Sequence, residues 1–153
     1  MRRCLVVAHQ TLDSPRLAEA MLGELSKGAC TFHLVVPVIN HGDGWTWTDA
    51  QVRATAQEHL NQALSGFRAD GFAIDGEVGN PSPVDAVTDV LVREGADAFD
   101  LILVSTLPHA VSRWLRMDTP ARIARATGIP VRHVEAPERV LGYGARPSAA
   151  DEA

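Results

Sequence analysis

Lysine is almost missing from this chain, and cysteine and tyrosine are scarce. Of its 14 basic residues only Lys27 is a lysine, the other thirteen being arginines. That bias reads as the codon usage of a GC-rich genome and carries no function by itself. Two cysteines, Cys4 and Cys30, are too few for a disulfide framework and form no Cys-x-x-Cys pair. Each stands at the edge of an apolar run, so both are read as packing residues. Long apolar runs are missing too. The start, Met1-Arg2-Arg3-Cys4-Leu5-Val6-Val7-Ala8, meets polar His9 and Gln10 within a few residues. It is too short for a signal-peptide core or a membrane span. The expectation is a cytoplasmic protein with no membrane partner. Nor is there an excess of cations: the net charge of −5 argues against a nucleic-acid partner, because nonspecific affinity for a phosphate backbone comes from clustered Lys and Arg. The arginines after residue 112 are interleaved with Asp118, Glu135 and Glu138 and with one aromatic, Trp114. They read as a solvated face.

What is present is an ordinary globular composition. With 153 residues, 46% hydrophobic and 22% charged, the chain fits one domain. A domain of that size buries roughly two-thirds of its unfolded surface and needs no metal or disulfide to hold a core.

The pattern along the chain alternates strands and helices. Leu5 to Ala8 is a continuous apolar run, as in a strand buried on both faces. Ser14 and Pro15 then open a helix with Leu17, Met21, Leu22 and Leu25 at helical spacing, stopped by Gly28. Thr31 to Ile39 is a second strand. Asn40 to Trp47 is a Gly-rich loop in which Trp45 and Trp47 either cover a ligand or staple the loop to the next helix. Thr48-Asp49-Ala50-Gln51 reads as a capping box, and Val52, Ala56, Leu60, Ala63, Leu64 and Phe67 give the following helix one apolar face. Phe72 to Val78 is a strand interrupted by Asp75 and Gly76. Ser82-Pro83-Val84-Asp85 starts another helix, which stops near Gly95. Leu101 to Val104 is a buried strand, and Ser105 to Arg116 mixes loop and helical residues. Thr119-Pro120 opens a last helix ending at Gly128, and Ile129 to Val134 is a last strand. Residues 1–135 thus form one domain, with a tail of residues 136–153 rich in Pro, Gly, Ala and acidic residues and expected to be mobile.

Strands that alternate with helices specify a parallel sheet, because each return to the sheet must cross over it. Ligand crevices in such sheets lie beyond the carboxyl ends of the strands. Four loops therefore carry any site: His9 to Asp13, Asn40 to Trp47, Gly79 to Pro81 and Ser105 to Asp118.

Three segments carry a resemblance. Gly76-Glu77-Val78-Gly79-Asn80-Pro81 resembles the Gly-x-x-Gly-Asp-Pro turn of the universal stress proteins. The acidic approach Ala96-Asp97-Ala98-Phe99-Asp100 to Leu101-Ile102-Leu103-Val104 is similar to theirs, as is the closing Gly128-Ile129-Pro130-Val131. The likeness runs from about Cys4 to Val134. It implies a three-layer α/β/α Rossmann-like fold of the adenine nucleotide alpha hydrolase-like type, with a five-stranded parallel sheet ordered 3-2-1-4-5. It also implies a homodimer through the last strand.

ATP-binding members of that family carry Gly-x2-Gly-x9-Gly-Ser/Thr after the fourth strand, where glycines let backbone N–H groups approach the phosphates. Here Ser105 and Pro108 take the first two glycine positions, and Asp118-Thr119 take the Gly-Ser/Thr pair. Pro108 offers no N–H, and Asp118 sets a negative charge where a helix start would favour an anion. Gln10 stands where the ATP binders place Asp, and Asn80 replaces another Asp. The run Ser105-Thr106-Leu107-Pro108 with Ser112-Arg113-Trp114-Leu115-Arg116-Met117-Asp118 resembles a divergent actinobacterial branch whose glycine loop has been replaced. A structural reading competes with it: Asp118 pairs with Arg116 or Arg122 and caps the last helix, while Trp114 fills a groove on the sheet. Asn80 is likewise read as a turn residue before Pro81.

The expected function is a non-enzymatic sensor or regulatory module that binds a small molecule, an adenine nucleotide being the candidate cofactor, with ATP binding weakened or lost. The candidate ligand residues are His9, Gln10, Thr11, Asn80, Ser105, Thr106, Ser112, Arg113 and Thr119, with Arg113 supplying charge for an anion such as a nucleotide monophosphate. Three alternatives stand beside it: an ATP- or AMP-binding protein with an altered loop, a purely structural dimer or interaction module, and a nucleotidyl transferase. The last needs a paired-histidine motif after the first strand, and His9-Gln10-Thr11-Leu12 lacks the second histidine. His9, His41 and His109 all follow strands and would suit zinc if they converged; the reading adopted is that no metal is bound. His33 and His133 fall within strands and are read as structural, and His59 as a helix rim residue.

Overall fold

The computed structural model describes residues 1–38 and 49–137. Five strands, β1 (Arg2–Val7), β2 (Cys30–Pro37), β3 (Ile74–Gly79), β4 (Leu101–Thr106) and β5 (Val131–Glu135), form one sheet in the order β3-β2-β1-β4-β5. Every pairing is parallel, with Val6 opposite Leu34 on one side and Leu103 on the other. The expected fold class and strand order are what the structure shows.

The helices α1 (Pro15–Leu25), α2 (Asp49–Ala69), α3 (Pro83–Glu94), α4 (Arg113–Arg116) and α5 (Thr119–Thr127) supply the crossovers. Alternation along β1 divides the core between the two faces of the sheet. Cys4, Val6 and Ala8 pack with Leu34, Val36, Leu17, Met21, Leu60 and Phe67 under α1 and α2. Leu5 and Val7 pack with Val35, Val87, Val90, Ile102, Val104 and Ile123 under α3 and α5. Burial pushes the Cys4 thiol up to about 12, which fits an inert packing residue.

Local chemistry sets the element ends. Ser14 accepts the Arg16 N–H at 3.3 Å ahead of Pro15, and Ser82 accepts the Asp85 N–H at 3.3 Å ahead of Pro83. Leu22, grouped by spacing with the apolar face of α1, turns outward instead and is exposed. β4 runs on through Ser105 and Thr106, and β5 begins only at Val131, after Pro130 has used its carbonyl on the Ile102 N–H at 2.9 Å. At the opposite edge of the sheet from the loops, buried Glu24 collects Arg2 at 2.8 Å, Arg132 at 2.9 Å and Lys27 at 3.1 Å. Those ion pairs tie α1 to both β1 and β5. The loop with Trp45 and Trp47, His41, the first residue of the capping box and the tail from residue 138 lie outside the described residues.

Candidate functional site

Strands β1 and β4 deliver expected crevice residues to the carboxyl edge. Thr11, after β1, and Ser105, near the end of β4, are both buried, and their hydroxyls meet at 2.6 Å. This bond draws the β1 loop against the β4 loop. Thr106 donates to the Leu107 carbonyl at 2.9 Å and lies 2.7 Å from His133 Nε2 on β5. Burial holds His133 below the usual histidine range. His109 is exposed and engages Glu135 through both its backbone N–H, at 2.8 Å, and its ring Nδ1, at 3.1 Å. Those two contacts hold the Glu135 carboxyl below its ordinary value.

The β4–α4 loop closes on itself. The Pro108 carbonyl accepts both the Val111 and the Ser112 N–H at 2.9 Å. Buried Ser112 then caps α4 by accepting the Leu115 N–H at 3.2 Å. Trp114 packs into the core under α3 and α5, as the structural reading required. Thr119 is buried at the first position of α5. Arg113 is exposed and forms no ion pair among the described residues.

Asp118 corrects that structural reading. It occupies the N-cap position of α5, yet its side chain makes no capping bond and pairs with neither Arg116 nor Arg122. The cause is its backbone. With φ 57° and ψ 38° it lies in the left-handed region, whereas a capping side chain reaches the N2 and N3 amides from an extended N-cap. Among the described residues it is the only non-glycine with positive φ. A glycine would adopt that conformation without strain, so a carboxylate stands here on a backbone conformation that favours glycine.

Asn80 does not join this group. Its Oδ1 accepts the Ser82 N–H at 2.9 Å and shapes the turn into α3, at the end of edge strand β3 with β2 between it and β1. The glycines before it are packing devices. A Cβ on Gly76 would stand 2.7 Å from the Leu34 carbonyl oxygen, and one on Gly79 would stand 2.9 Å from Val35 Cγ2.

His9 and Gln10 line a different space, a cavity of about 680 Å³ between the start of α1 and the second half of α2. Its other walls include Leu12, Asp13, Ala18, His59, Gln62, Ala63, Gly66, Phe67 and Asp70. Sequence reasoning placed Ala63 and Phe67 on the inner face of α2 and His59 on its rim. It did not place them beside the β1 loop, because that adjacency depends on how far apart two crossover helices settle on the sheet. The available signal was Gly66, a glycine inside an otherwise regular helical pattern.

No family model and no curated protein matches the chain. Among solved structures it is similar to a universal stress protein from Archaeoglobus fulgidus, at 15% identity and a TM-score of 0.57 over 88% of this chain and 93% of that one. The chain therefore has the universal stress protein-like α/β fold.

Proposed function

We infer that the chain is a non-catalytic regulatory module of the universal stress protein type. It takes a small anionic ligand at the strand ends, with ATP binding weakened. The observation that carries this reading is the β4–α4 loop. Its Val111 and Ser112 amides are spent on the Pro108 carbonyl, so they are withdrawn from any phosphate. The Asp118 carboxylate adds repulsion at the start of α5. What the loop still offers an anion, among the described residues, is the exposed guanidinium of Arg113 with that of Arg116 one turn on, which without the loop amides suits one phosphate better than three. The free edge of β5 supports assembly as a homodimer.

Thermal unfolding with AMP, ADP, ATP and cyclic nucleotides, each with magnesium, tests this. A ligand at a hundred times its dissociation constant adds about 2.7 kcal/mol, a shift of a few degrees in a domain of this size. AMP should raise the midpoint more than ATP does, and Arg113→Ala should abolish the response while leaving the unliganded midpoint in place. A full shift with ATP would overturn the weakened-ATP reading. Silence across the panel would favour the second reading, an interaction module without a nucleotide. That reading has its own support, because Thr11, Ser105 and Ser112 already satisfy one another or the backbone.

A further inference from the structure

The cavity between α1 and α2 has a charge opposite to that of a phosphate site. Two carboxylates line it, Asp13 at the β1 loop and Asp70 just beyond α2, and none of the described residues lining it is Lys or Arg. The rest of the lining combines apolar Leu12, Ala18, Ala63 and Phe67 with the amides of Gln10 and Gln62, the Ser14 hydroxyl and the imidazoles of His9 and His59. A volume of about 680 Å³ is that of a small-molecule pocket. An apolar body with a cationic end complements such a wall. A carboxylate or phosphate would meet two like charges.

Gly66 supplies an independent observation. It lies within α2 and lines the cavity, and a Cβ built on it meets nothing within 4 Å. Glycine within a helix is less favourable than alanine, and here no packing contact requires it. The missing side chain instead keeps the space between the helices open. Gly76 and Gly79 differ, since the fold itself leaves no room for their Cβ atoms.

We propose that the α1–α2 cavity is a binding site for an organic amine with an apolar or aromatic body, its ammonium group drawn to the lining carboxylates, Asp13 or Asp70, and its body lying against Ala63 and Phe67. The site is separate from the anion reading of the β4 loop. The two share only the β1-loop residues His9 and Gln10, so either can fail without the other.

Titration of the full chain with 2-phenylethylamine at neutral pH, followed by amide chemical shifts, tests the proposal. The neutral 2-phenylethanol and the anionic 3-phenylpropionate serve as matched probes. The amine should saturate, with shifts concentrated in residues 9–18 and 59–70, and should bind at least tenfold more tightly than either matched probe. The Asp13→Asn, Asp70→Asn double variant should lose that preference. Gly66→Leu should abolish saturation while remaining folded, because its Cβ enters open space. Gly23→Ala, a comparable gain in helix propensity at a glycine that does not line the cavity, should bind as the parent does. Absence of saturation, equal affinity for all three probes, or unaltered binding in Gly66→Leu would each overturn the proposal. Should Gly66→Leu fail to fold, the charge-neutral double variant decides alone: unchanged affinity for the amine overturns the proposal, and a tenfold loss upholds it.

Discussion

A methyl group at position 76 would press on the Leu34 carbonyl oxygen at 2.7 Å and on Leu60 Cδ1 at 3.0 Å. The first is backbone of the adjacent strand, held in register by the β2–β3 pairing, so it cannot swing aside as a side chain would. Gly76 therefore lets α2 settle against the β2–β3 pair. Gly76→Ala should cost about 1–3 kcal/mol, the usual range for overpacking a filled interior, measured as a lower urea midpoint at unchanged slope. A midpoint equal to that of the parent would show that the helix moves away freely. The same residue shows where sequence reading runs out. Gly76 looks like an interruption of a strand, because a lone glycine in a strand lacks a packing side chain and weakens the pattern. Only the distance to Leu60 reveals it as the contact point of the next layer. Asp118 misleads in the opposite direction: its residue type promises a helix cap, and its left-handed backbone turns the carboxylate away.

At the scale of elements, β2, β3 and α3 are joined by a chain of charges. His33 on β2 lies 2.6 Å from both Asp75 and Glu77 on β3. Glu77 in turn takes the Arg93 guanidinium of α3 with two nitrogens, one of them at 2.9 Å. Arg93, and after it His33, hold the Glu77 carboxyl below its ordinary 4.5 despite partial burial, which acts the other way. A carboxyl whose folded value is depressed binds fewer protons in the native state than in the unfolded one. Its stabilisation is therefore complete above about 4.5 and is lost as pH falls through the folded value. Unfolding free energy should hold level with respect to this group from neutral pH down to about 5 and decline below the unfolded value of 4.5. Glu77→Gln should lower stability at pH 7 by about 1.5–3 kcal/mol, the range for hydrogen bonds to charged groups. The gap from the parent should narrow in acid, as the parent's own Glu77 takes up its proton. Glu24 and Glu135 are also held low, so the difference between parent and variant, and not the acid limb itself, isolates Glu77. A gap that stays constant down to pH 3 would remove Glu77 from the account of acid sensitivity. None of this network is legible in the sequence. His33, Glu77 and Arg93 come from three elements, and their meeting depends on the β2–β3 register and on where α3 crosses.

For the molecule as a whole, the alternation of apolar runs with capped helices was enough to specify a parallel sheet, because crossovers leave few ways to close it. Its order followed from the resemblance around Gly76-Glu77-Val78-Gly79 and Gly128-Ile129-Pro130-Val131. The candidate site divided. Thr11 and Ser105 meet as a crevice requires, Asn80 is engaged in its own turn, and a cavity lined by His9 and Gln10 opens beside them between two helices. The sheet also has two edges, and β5 forms one of them. The Pro130 carbonyl and the Ala136 N–H both face β4. By alternation, the backbone groups of Val131, His133 and Glu135 face outward, and among the described residues no further strand pairs with them, leaving a row of donors and acceptors of the kind that recruits another strand. Pairing of two copies along β5 would continue the sheet across a twofold axis and use the same groups twice. Light scattering should then give twice the chain mass at micromolar concentration. His133→Pro removes an outward N–H and leaves the backbone bonds to β4 in place, giving up only the side-chain contact with Thr106, a backbone change that edge strands tolerate. It should give the mass of a single chain with the far-ultraviolet spectrum of the parent. A parent that is monomeric at that concentration, or a variant that stays dimeric, would place the contact elsewhere and leave β5 as an edge that carries exposed Arg132 and His133.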